Sequence, residues 1–178
     1  ESGSADIDLD PSTPCQPCEV GHFSPPGSIN CTSCGAGEAD TDVNPATPCH
    51  PCAAGSFAAA GSIGCEPCVG GTVDLDAAPA TVCDVCVPGT YSEEGATSCT
   101  DCESGSADLD SNPATECVAC AVGKYSGSGA TSCDTCAAGR ADADSDPSTP
   151  CVLCEAGHYA AAGATSCVLC PSGEMDDD

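Results

Sequence analysis

Tryptophan is absent from this chain, and its 178 residues include only two phenylalanines, three tyrosines and one methionine. Leucine, isoleucine, valine and phenylalanine together number 21. A conventional core is therefore excluded, because burial yields roughly 25 cal/mol per Å² and must offset about 1–2 kcal/mol of backbone ordering per residue. No apolar run approaches the about 18 residues that a membrane helix needs, so this segment is expected to make no direct membrane contact. Positive charge is almost as scarce. Lys124 and Arg140 are the only strong cations against 28 acidic residues, a net charge of −26. Such a chain repels phosphate backbones and anionic lipid, which excludes nucleic acid as a partner. The three histidines, His22, His50 and His158, share no constellation with serine, aspartate or glutamate that recurs along the chain. No catalytic residue and no cofactor site is read from it, and it is not expected to be an enzyme.

What is abundant is cysteine, 20 residues of 178, above the share of roughly 8–10% that marks a disulfide scaffold. The cysteines form ten C-x-x-C pairs whose separation alternates without a slip between a shorter interval, x12, and a longer one, x14. The first cysteines of alternate pairs, Cys15, Cys49, Cys83, Cys117 and Cys151, therefore recur at one fixed period. The units run 1–34, 35–68, 69–102, 103–136 and 137–170, and residues 171–178 restart the pattern, which predicts a segment of a longer array. Fixed periods of this size mean repeats that touch mainly their neighbours. The expected fold class is a small disulfide-rich repeat, an extended rod or solenoid of short β-hairpins and irregular loops with almost no helix. Crosslinks of this density belong to an oxidising compartment, which predicts an extracellular or cell-surface location.

The cysteine spacing also suits a four-cysteine zinc site, and each C-x-x-C a redox centre. Neither fits its setting. Five zinc sites would load four thiolates apiece onto a chain already at −26, and no electropositive helix start or βαβ scaffold is apparent to lower a thiol pKa. The cysteines are read as fasteners.

Glycine stands three residues after every C-x-x-C, for example Gly21, Gly55, Gly89 and Gly123, which implies a turn with positive φ or backbone too close for a Cβ. Two residues later in the short half comes the only aromatic column, Phe23, Phe57, Tyr91, Tyr125 and Tyr159. These rings are expected to lie over disulfides as a miniature core. A small polar run follows, such as Gly95-Ala96-Thr97-Ser98-Cys99, so the short half reads as a hairpin with strands of about three residues.

The longer half carries aspartates two apart, Asp6/Asp8, Asp40/Asp42, Asp74/Asp76, Asp108/Asp110, Asp142/Asp144 and Asp176/Asp178, then a proline column, Pro11, Pro45, Pro79, Pro113 and Pro147. On an extended strand such a pair shares one face, and proline then ends the strand. The first ten of these aspartates are weak Ca²⁺ candidates, since one pair supplies fewer than the six to eight oxygens that Ca²⁺ takes. Otherwise they form a solvated acidic face. Asn30-Cys31-Thr32 is the one N-glycosylation sequon, and Thr13, Thr47, Thr81, Thr115 and Thr149 beside the prolines, with Ser24-Pro25-Pro26, suit O-glycosylation by composition.

The pattern C-x-x-C-x-x-G-x-[Y/F]-S-x-x-G-A-T-S-C-x-x-C, seen best at Cys83–Cys102 and Cys117–Cys136, resembles the ephrin-receptor-like cysteine-rich repeat over essentially the whole chain. More loosely it is similar to the cysteine-rich modules of tumour-necrosis-factor receptors. That resemblance implies first-to-third and second-to-fourth pairing: Cys15 with Cys31 and Cys18 with Cys34, Cys49 with Cys65 and Cys52 with Cys68, Cys83 with Cys99 and Cys86 with Cys102, Cys117 with Cys133 and Cys120 with Cys136, Cys151 with Cys167 and Cys154 with Cys170. The residues themselves leave a daisy chain open, Cys18 with Cys31 and Cys34 with Cys49. The Asp-rich, Pro-containing half departs from the animal receptors. Arrays of this kind also resemble ectodomains of surface and mastigoneme (flagellar-hair) glycoproteins of algae and protists. The reading is a structural stalk or filament (fibril) subunit that associates with itself or with other surface glycoproteins. The alternative is a ligand-binding receptor or adhesin ectodomain.

Overall fold

The structure, a computed structural model, describes residues 1–171. Among them there is no helix. Each half-repeat closes on itself as one antiparallel hairpin of two-residue strands. In the first repeat β1 (Ser4–Ala5) pairs with β2 (Gln16–Pro17), and β3 (His22–Phe23) pairs with β4 (Thr32–Ser33). The pattern continues to the tenth hairpin, in which Tyr159 faces Val168. Hairpins were expected in the short half, with slightly longer strands; the long half forms one as well. The strands stay short because the glycine turn precedes each first strand and the two cysteines bracket each second strand.

The second strand of every hairpin is the x-x of a C-x-x-C, and its side chains are exposed in all ten copies. The sealed interior is made instead of cysteine and small residues. Cys34, Cys68, Cys102 and Cys136 are fully buried, as are Ala5, Ala39, Val73, Ala107 and Ala141 at the second position of each long-half first strand. The aromatic column does not supply the core: Phe23, Phe57, Tyr91 and Tyr125 are half-buried and Tyr159 is exposed. A ring is too large for an interior already filled by cysteines and, in each hairpin, one alanine, serine or valine.

The chain forms two compact units, Glu1–Val85 with Glu93–Ser98, and Cys86–Ser92 with the residues from Cys99 onward. Within the first, the Gly95 N–H donates to the Cys68 carbonyl at 2.7 Å and the Asp74 N–H to the Ala96 carbonyl at 3.1 Å, which ties the 93–98 turn to that unit. Within the second, the same bonds recur one repeat later, Gly129 N–H to Cys102 O at 2.8 Å and Asp108 N–H to Ala130 O at 2.9 Å. The proline column contributes carbonyls here: Pro147 O accepts from Ser126 N–H at 3.0 Å, as Pro45 O accepts from Ser24 N–H at 3.0 Å. Stability thus comes from short bonds between successive hairpins rather than from a common centre.

Gly89 shows why its position resists a side chain. Its φ is +84°, and a Cβ would collide with the carbonyl of Gly129. Gly127 in the same unit has open space where its Cβ would lie. Gly89→Ala is therefore expected to lower unfolding stability by at least about 1–2 kcal/mol, the cost of a left-handed alanine before any clash, whereas Gly127→Ala changes it little. Equal denaturation midpoints for the two variants would remove this account.

Candidate functional site: the bridge path and the acidic turns

Nine bridges join the cysteines as a daisy chain: Cys18–Cys31, Cys34–Cys49, Cys52–Cys65, Cys68–Cys83, Cys86–Cys99, Cys102–Cys117, Cys120–Cys133, Cys136–Cys151 and Cys154–Cys167. This corrects the pairing implied by the receptor modules. Cys15 is not bridged to Cys31 nor Cys18 to Cys34, and the same holds for Cys49–Cys65, Cys52–Cys68, Cys83–Cys99, Cys86–Cys102, Cys117–Cys133, Cys120–Cys136, Cys151–Cys167 and Cys154–Cys170. Cys15 and Cys170 carry no bridge. The physical reason lies in the strands. First-to-third pairing needs two C-x-x-C segments side by side, but each is already paired with the strand upstream of it, as Thr32–Ser33 is with His22–Phe23. Successive segments therefore meet end to end, the second cysteine of one against the first of the next, with Cα atoms 5.6–5.7 Å apart, well inside the reach of a disulfide.

Connectivity of this kind has a consequence for load. A continuous covalent path runs from Cys18 to Cys167 through bridges and C-x-x-C segments alone, and every hairpin loop hangs off it. Oxidised sulfurs are not thiolate ligands, so the four-cysteine zinc reading finds no donors along this path.

The aspartate pairs sit elsewhere than expected. They lie in turns following the first strand of each long half, not on a strand, and their two members have different tasks. The first is buried at Asp40, Asp74, Asp108 and Asp142 and staples two hairpins. Its Oδ2 accepts the N–H of the turn glycine nineteen residues earlier: Gly21 to Asp40 at 3.1 Å, Gly55 to Asp74 at 3.0 Å, Gly89 to Asp108 at 3.1 Å and Gly123 to Asp142 at 2.9 Å. The second member closes its own turn. The Thr13 hydroxyl donates to Asp8, Thr47 to Asp42, Thr81 to Asp76, Thr115 to Asp110 and Thr149 to Asp144, at 2.9–3.2 Å. In two repeats both carboxylates converge on one donor, the Asn44 N–H for Asp40 and Asp42 and the Ala78 N–H for Asp74 and Asp76. Asp6 is half-buried, and Asp176 and Asp178 lie outside the described residues.

Between the second aspartate and its N–H donor stands a residue the sequence did not single out. Leu9, Val43, Ala77, Ser111 and Ser145 all have φ between 51° and 57°, a conformation that costs a non-glycine residue about 1–2 kcal/mol. The threonine five positions after each second aspartate is the sequence signal for this closed turn. Among the described residues no group of three or more His, Cys, Asp or Glu side chains is placed to hold a metal.

The bonds also hold the second aspartates below the usual carboxylate range. For Asp42 the chief cause is the Thr47 hydroxyl; for Asp8, Asp76, Asp110 and Asp144 it is the backbone N–H of Asp10, Ala78, Asn112 and Asp146. A depressed folded pKa stabilises the fold above the unfolded value of about 3.9 and loses that contribution as pH falls through the lower folded value. The acidic turns are expected to stay closed through pH 5 and to open only once the pH has fallen below the free aspartate value of about 3.9. An NMR titration following the Asn44, Ala78 and Asn112 amides checks this, and midpoints at or above the free aspartate value would refute it.

No protein-family model matches this chain, and a search of curated proteins finds no relative.

Proposed function

We propose that this chain is the tension-bearing part of an extracellular or cell-surface structural protein, a stalk or filament subunit that associates with copies of itself or with other surface glycoproteins. It carries out no catalysis in this reading. The observation that carries it is the end-to-end bridge path, since linking neighbouring segments in series limits extension whatever happens to the loops. The density of bridges supports an oxidising, extracellular setting. Near-identical units give a surface along which copies can pack in register, and an open heterologous contact of that kind propagates into a fibre. The ephrin-receptor-like and mastigoneme-type resemblances agree with this setting. Electron microscopy of native material is expected to show fibres or cell-surface stalks that label with antibody to the repeat. Isolated monomers with no surface assembly would overturn the reading.

One observation favours a receptor or adhesin instead. The outward strands of the fifth repeat are Val152–Leu153 and Val168–Leu169, with the leucines 69% and 70% exposed, and the earlier copies of the second of these strands include the polar pairs Thr32–Ser33 and Thr100–Asp101. On that reading Leu153→Asp with Leu169→Asp abolishes ligand or cell binding and leaves assembly intact.

A further inference from the structure

The threonines beside the prolines look like the natural O-glycosylation column in the sequence, yet the fold already engages their hydroxyls. Each shares its one proton between the aspartate five residues earlier and a backbone carbonyl within its own turn. Ser24 is fully buried and bound to the Ser4 carbonyl at 3.0 Å. A transferase approaching the folded chain would have to break these bonds, several of them to a charged acceptor, before the oxygen could attack.

A second hydroxyl column stands free. Thr97-Ser98, Thr131-Ser132 and Thr165-Ser166 occupy the bend just before the cysteine that opens the next C-x-x-C, and all six residues are exposed. Their side chains have no hydrogen-bond partner among the described residues, unlike the neighbouring hydroxyls of Ser28, Ser126 and Ser128, which are bound to backbone carbonyls. The pairs recur at the period of the whole array, one in each of the last three repeats. The same register position in the first repeat is Asn30 of the Asn30-Cys31-Thr32 sequon, also exposed. Four of the five repeats thus place a residue with a glycan-accepting side chain at one exposed bend.

We propose that this bend is the glycosylation ladder of the protein, with O-linked sugars at the Thr-Ser pairs 97–98, 131–132 and 165–166. The ladder rests on the extracellular reading, which supplies the secretory transferases. A nucleoside-diphosphate sugar is the donor: the Ser or Thr Oγ–H bond breaks, Oγ bonds to the anomeric carbon, the nucleoside diphosphate departs with the bonding electron pair, and the hydroxyl proton passes to the transferase base.

The test is glycopeptide mapping of the native secreted protein, with free thiols counted on the same sample. Expected are at most the two thiols of Cys15 and Cys170, and occupancy at the Thr-Ser pairs at least about tenfold above that at Thr13, Thr47, Thr81, Thr115 and Thr149, from the bonds the latter must give up. Thr131→Ala with Ser132→Ala should remove the glycan mass carried by that pair, and Asp110→Ala, which takes away the charged acceptor and leaves the Thr115 hydroxyl only its bond to the Asn112 carbonyl, should raise occupancy at Thr115. A thiol count near twenty refutes the extracellular reading itself. Few thiols with an unmodified mass, or glycans on the proline-side threonines in comparable amount, refute the ladder alone. If Asp110→Ala does not fold, the Thr131/Ser132 variant and the native map decide.

Discussion

Reducing the bridges should lengthen the greatest distance between Cys18 and Cys167 under tension about fourfold. The fully extended backbone between those residues spans about 520 Å, whereas the route through nine bridges and the eight C-x-x-C segments between them spans about 135 Å, at ~3.5 Å per residue and the observed Cα separation across each bridge. The C-x-x-C segments bear the tension, and each loop between them is shorted by the disulfide at its base. A single-molecule pulling experiment with handles at the two ends reads this directly. Oxidised protein should stiffen near the short limit, and reduced protein near the long one. Replacing one bridge, Cys102→Ser with Cys117→Ser, should release its loop alone and add about 45 Å to the oxidised limit. A protease cut within any one bridged loop should likewise leave the two ends joined until reductant is added. Oxidised chains that extend to the full backbone length would refute the series path and with it the tension-bearing proposal.

The same path explains which parts of the molecule were legible in its sequence. Repeat length, the fastening role of cysteine and the glycine turns follow from spacing and composition, because those features are local and occur in every copy. Connectivity does not, since the two alternating intervals permit Cys18 to reach Cys31 or Cys34 equally well. The choice is made by which strand Thr32–Ser33 pairs with, and two-residue strands leave no hydrophobic alternation to read. The aspartate pairs misled for a related reason. D-x-D followed by proline looks like the end of a strand, but Val43 and Leu9 take left-handed backbone, which β-branched and bulky residues rarely do. Their conformation is imposed by convergence of a backbone N–H and a threonine hydroxyl on the second aspartate of the turn. Asp40 could be told apart from Asp42 only once the Gly21 N–H nineteen residues upstream was seen to reach it. The aromatic column is only half-buried, because alanine, serine, Val73 and half-cystine hold the sealed positions.

Full reduction is expected to unfold the chain altogether, whereas a chelator should leave it unchanged. The largest fully buried side chains are Val73, four half-cystines and Ser24, so the bridges and the interior are substantially the same atoms. Closing loops of 13 and 15 residues is worth roughly 3 kcal/mol per bridge in the chain-entropy model. Bonds such as Gly89 N–H to Asp108 fix the arrangement of hairpins but are each worth only about 1.5–3 kcal/mol even with a charged acceptor. They cannot carry the ordering cost of a whole loop once its bridge is open, at ~1–2 kcal/mol per residue. Amide exchange measured on the oxidised, chelator-treated and reduced protein separates the possibilities. Protection of Cys68, Gly95, Cys102 and Gly129 N–H should persist with chelator and vanish with reductant. Protection surviving reduction would mean that the hairpin bonds suffice without the bridges; protection lost to chelator would restore a metal to the acidic turns. Because each hairpin leans on its neighbours, the Cys102/Cys117 double variant should lose protection chiefly around Gly105–Ser126 and keep it in the 1–85 unit, the response of a structure whose stability is a sum of adjacent contacts.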